Sequence, residues 1–195
     1  RIAATATLGD QLGLSGALSV AEYAGYGPDA LYESLLTLLP YMGYPRTVHA
    51  LVSFQQLHPT FIAARGGTPS EPWSSHAGII WPDRGQAIFS LLWGAGAQQR
   101  SRLHELSPEL ADWLVHGIYG RIFGRPGLTL LERELLVIGC LLALGSVKEL
   151  VTHRRALLLQ GGHEGLLDLM LEDLQTVLPP GIFVLATDAL AQLRR

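Results

Sequence analysis

The chain has 195 residues, 48% hydrophobic and 16% charged, with a net charge of −3. Its length fits one domain or two small ones, and its basic residues form only short groups such as Arg154 and Arg155, which excludes the electrostatic footprint of a nucleic-acid-binding protein. The longest apolar run, 135–144, contains a glycine and falls short of the roughly 20 residues a membrane span requires. The apolar surplus is therefore expected in a subunit interface, as a homo-oligomer, with no membrane partner. A single cysteine, Cys140, excludes an intrachain disulfide and points to a reducing, cytoplasmic setting. The sequence opens at Arg1 with neither a methionine nor a secretory leader, so residues are expected to precede it.

Apolar residues recur at three- and four-residue spacing almost throughout, which predicts an all-α fold. A first helix ends at Gly9. The composition of 65–72, rich in Gly, Pro and Ser, predicts a loop, and 83–104 reads as helix again. Ser107 followed by Pro108 is a helix start, predicting a helix to Gly124 that Arg125-Pro126-Gly127 breaks. Thr129 and Glu132 have capping-box spacing and open a helix that stops at Gly145. Ser146 and Glu149 repeat that spacing and open the next, which Gly161 and Gly162 end. A further helix over 165–177 stops at Pro179-Pro180-Gly181, and a last one runs to the C-terminus.

An internal repeat emerges when Ile2 to Gly9 is laid over Ile138 to Gly145. The same register pairs Leu14 with Leu150, Gly25 with Gly161, Leu31 with Leu167, Leu35 with Leu171 and Val48 with Val184. Glycine stops and core-type positions recur, whereas chemistry does not: His153 pairs with Ala17, Glu149 with Gly13 and Ser146 with Asp10. The reading is a first, degenerate and N-terminally incomplete repeat over 1–54, a connecting loop and helix over 55–106, and a second repeat over 107–195.

That second repeat concentrates the acid/base groups. Glu134 lies on one predicted helix, Glu149 and His153 on the next. At 1.5 Å rise per residue, Glu134 stands about 16 Å before the Gly145 turn and His153 about 12 Å after it, so an antiparallel pair brings them near one another. Glu149 and His153 are four apart and share a face. Each has a plainer reading: Glu149 as a helix cap, Glu134 as the partner of an arginine such as Arg133 or Arg154, His153 as a satisfied core histidine. Cys140, among Ile138, Leu141 and Leu142, reads as a small buried hydrophobe. The spacing of His153 and His163 is not that of a zinc site, and no metal or cofactor is expected.

The pattern built from Arg133-Glu134-Leu135, Ala143-Leu144-Gly145, Glu149-Leu150, His153, Ala156-Leu157 and Gly161, with Tyr119-Gly120-Arg121 and 125–128 before it, resembles the carboxymuconolactone decarboxylase family, which includes the alkylhydroperoxidase D proteins. Tyr41, Gly43 and Pro45 in the first half resemble that family's later helices. The resemblance implies a helical bundle of two degenerate alkylhydroperoxidase D-like repeats, assembled as a trimer. It implies catalytic positions at Glu134, His153 and Glu149 and a small, anionic lactone or enol as substrate, transformed by a decarboxylase or isomerase type of chemistry. An arginine, Arg121, Arg125 or Arg154, is expected to hold the substrate carboxylate. The peroxidase branch carries two cysteines where this chain has Ser146 and Glu149, so its disulfide relay is absent. An antioxidant role would rest on Cys140, exposed and ionised. A third reading is a non-catalytic assembly or binding protein.

Overall fold

A computed structural model describes residues 1–67, 77–94 and 98–193. Among these there is no strand, and the chain is all-α. Most of the predicted 65–72 loop lies outside them. The chain divides into two compact units, one formed by Arg1–Phe61 with Gly127–Arg195, the other by Ile62–Pro126. Residues 107–126, which the sequence groups with the second repeat, thus belong to the inserted unit.

The first unit contains α1 (Ile2–Leu8), α2 (Gln11–Tyr23), α3 (Pro28–Leu57), α8 (Leu130–Leu144), α9 (Val147–Leu159), α10 (Glu164–Leu174) and α11 (Pro180–Leu193). Leu14, Leu18, Leu31, Leu35, Leu38, Phe54 and Cys140 form one buried cluster; each such aliphatic side chain contributes roughly 1.5–3 kcal/mol when removed from water. α8 begins with the predicted capping box: the Thr129 hydroxyl accepts from the Glu132 N–H, and the Glu132 carboxylate accepts from the Thr129 N–H at 2.7 Å. It ends at Gly145, left-handed at φ 67°, as α1 ends at Gly9 at φ 76°.

The register that lays Gly9 on Gly145 carries the limits of α2 onto those of α9 and the start of α3 at Pro28 onto the start of α10 at Glu164. It also carries the segment 44–57 onto α11. Residue 44 follows the one interruption of α3, at Gly43 (φ 78°, ψ 167°), between Pro40 and Pro45. An L side chain rarely adopts that backbone, so glycine permits the break and the two prolines frame it.

The inserted unit contains α5 (Ala77–Trp93), α6 (Gln98–Leu106), α7 (Pro108–Trp113) and a π-helical stretch, Leu114–Phe123, and it begins within the short α4 (Phe61–Ala64), whose first residue belongs to the first unit. Ser107 caps α7 through the Leu110 N–H, as its sequence implies. The predicted α-helix to Gly124, however, changes register after Trp113. The Gly124 N–H bonds the Tyr119 carbonyl five residues back. α5 packs on this stretch with almost no side-chain spacing, since a Cβ on Gly120 would lie 2.3 Å from the Trp81 carbonyl oxygen. Trp93 donates its indole N–H to the Tyr119 hydroxyl at 2.8 Å, within a cluster that includes Phe89 and Phe123.

Candidate acid/base site

Glu134 and His153 meet in the first unit. The capping box and the Gly145 stop define α8, and the turn into α9 brings His153 back beside Glu134. His153 Nδ1 lies 2.8 Å from Glu134 Oε2. Both are buried, Glu134 at 0% exposure and His153 at 7%. A carboxylate can only accept, so an ionised Glu134 holds the proton on Nδ1 and makes Nε2 the basic nitrogen of the neutral ring. The other carboxylate oxygen, Oε1, is buried and has no hydrogen-bond partner among the described residues.

Glu149 does not join them. It is exposed, in the first turn of α9, and its carboxylate makes no hydrogen bond or ion pair among the described residues. The second capping box is likewise not formed: Ser146 makes no side-chain cap bond. The spacing is right but the backbone at Ser146 (φ −83°, ψ 74°) differs from the extended Thr129 (φ −72°, ψ 161°) that closes the first box.

Arg133, next to Glu134, is fully buried and serves another contact. It donates to the Thr37 hydroxyl and lies 3.6 Å from the buried carboxylate of Glu33. Glu134 therefore takes His153, and Arg133 takes Glu33. Of the arginines named for a substrate carboxylate, Arg154 is paired with Glu164, while Arg121 stacks over Trp81 in the inserted unit, as Arg125 also belongs to that unit.

Tyr41 is a site neighbour that the acid/base pattern missed. Its ring centroid is 5.6 Å from that of His153, with the planes at 78°. Its only signal was membership of the Tyr41, Gly43, Pro45 set, which by itself says nothing of a contact with a residue in the opposite half of the chain.

Cys140 is fully buried and accepts the Thr7 hydroxyl at 3.1 Å; burial pushes its thiol up to about 11. The exposed thiolate that the antioxidant reading requires is not present there.

The first unit also holds an open, mostly apolar cavity of about 410 Å³, lined by Ala17, Ala21, Leu31, Leu135, Gly139 and Met170, among others. It includes neither Glu134 nor His153. No helix among the described residues is long and apolar enough to cross a membrane. No family model and no curated protein matched the chain.

Proposed function

We propose that this chain is a two-repeat carboxymuconolactone decarboxylase-like protein in which Glu134 and His153 move a proton on a small, anionic lactone or enol. One observation carries the reading: a buried carboxylate has one oxygen steadied by an imidazole N–H and the other without a partner among the described residues. An acidic C–H or hydroxyl brought to Oε1 would find a desolvated base, and the proton can return to the carbon that carbon dioxide leaves or to a neighbouring carbon. Arg154 binds Glu164 through one terminal nitrogen, and its Nε is buried without a hydrogen-bond partner among the described residues. The matching limits of α2 and α9 support duplication, and the exposed Leu12, Tyr23, Tyr44 and Val184 side chains support a homo-oligomer, proposed as a trimer. The free cysteine fits a cytoplasmic setting.

The 410 Å³ cavity favours a second reading, a non-catalytic protein that binds an apolar small molecule. A thermal-shift screen of small lactones, hydroxy acids, unsaturated dicarboxylates and apolar ligands separates the two. The acid/base reading expects an anionic ligand whose stabilisation is lost in His153→Ala. Stabilisation that survives His153→Ala but disappears in Ala21→Phe would assign the ligand to the cavity instead.

A further inference from the structure

We infer that the open cavity of the first unit is the seat of a helical segment of about two turns that continues α1 ahead of Arg1, with an apolar face toward α2. The inference rests on the repeat register within the two-repeat reading and on no chemistry of Glu134 or His153. In that register Val137 is the counterpart of Arg1, and residues 130–136 of α8 precede it. Three contacts hold those opening turns. Leu131 packs on Gly162, where an added Cβ would lie 3.1 Å from its Cδ1; Arg133 donates to the Thr37 hydroxyl; Glu134 meets His153. The register carries Gly162 onto Tyr26, Thr37 onto Asp173 and His153 onto Ala17, and all three counterparts line the cavity. The space that α8 fills in one half thus corresponds to the space that stands open in the other.

The lining sets the chemistry of the occupant. Ala17 and Ala21 stand where the second half has His153 and Leu157, so this seat is wider and carries no imidazole. A carboxylate at the counterpart of Glu134 would receive no hydrogen bond from Ala17, which favours a large apolar side chain at that position. Glu33, buried beside Arg133, has Leu169 as its counterpart, and Leu169 is 61% exposed. A segment seated as α8 is seated covers that leucine. Asp173, paired with Arg1 at 2.7 Å, offers a carboxylate to a basic residue one turn before Arg1, where α8 has Arg133.

The test compares thermal unfolding of the whole chain carrying either of two eight-residue additions directly before Arg1. One copies the sequence of 129–136 with leucine at the position of Glu134; the other is polar and helix-forming throughout, so that the difference reads burial and not helix length. The apolar copy is expected to melt about 5 °C or more above the polar control, with its added amides protected from hydrogen exchange. That gain is expected to vanish in Ala21→Phe, which fills the seat, and Ala17→Leu serves if the phenylalanine variant does not fold. Equal melting of the two extended proteins would overturn the inference, as would a gain that survives in a folded seat-filling variant. An apolar small molecule that stabilises the apolar-extended protein as much as the unextended one would also overturn it, since the cavity would still be open. His153 takes part in none of these measurements, so a failure here leaves the acid/base reading to its own test.

Discussion

Arg133 and Glu134 are adjacent in sequence, fully buried, and bound to different partners on different elements. Successive residues on a helix point about 100° apart, so one turn of α8 supplies both an ion pair with Glu33 and a hydrogen-bonded pair with His153. Cys140, nearer the C-terminal end of α8, shows a simpler case of burial acting on a titratable group. Its thiol is raised from about 9 to about 11 by desolvation, which the Thr7 hydroxyl only partly offsets. The folded state therefore binds this proton more tightly than the unfolded chain. The corresponding stability is fully present below pH 9 and is lost as the pH rises through about 11. Denaturant titrations of wild type and Cys140→Ala should show a steeper alkaline loss in wild type over that interval; parallel curves would mean that the thiol is not held in its neutral form.

Among the elements, α8 was the most legible in the sequence, because its start and stop are local: Thr129 and Glu132 close a box, and Gly145 supplies the left-handed cap. The Ser146 and Glu149 pattern shows the limit of such reading. The spacing was present, but the short turn after Gly145 sets a backbone at Ser146 that does not close the cap. The π-helical stretch was not legible either. Its apolar spacing fits an ordinary helix, and its register accompanies a close backbone approach between Gly120 and Trp81 on α5, a contact that no local pattern encodes. Gly120→Ala must push these elements apart and is expected to destabilise the protein by about 1–3 kcal/mol, the usual range for an overpacked contact. Unfolding by denaturant would measure it. A neutral substitution would contradict the tight packing. The contacts of Glu134 with His153 and of Tyr41 with His153 differ in the same respect. The first spans a single turn between consecutive helices and follows from helix rise, whereas the second depends on where the Gly43 break leaves α3.

At the scale of the whole molecule, the unit that holds the site is discontinuous in sequence, drawn from 1–61 and 127–195, and Ile62–Pro126 forms its own compact unit. Equal helix limits in the two halves accompany unequal chemistry: α9 carries His153 where α2 carries Ala17. Glu33, Thr37 and Tyr41, all on α3, reach residues of α8 and α9. The proposed transfer of a proton by Glu134 and His153 can be measured without knowing the full reaction. Small lactones and enols incubated with the protein in heavy water would be followed by proton NMR for exchange of their acidic C–H. Wild type and Glu149→Ala are expected to exchange at least one of them, with the rate falling by about 10²-fold or more in Glu134→Gln and His153→Ala. Exchange that persists in Glu134→Gln, or its absence from wild type across the panel, would contradict proton transfer by this pair.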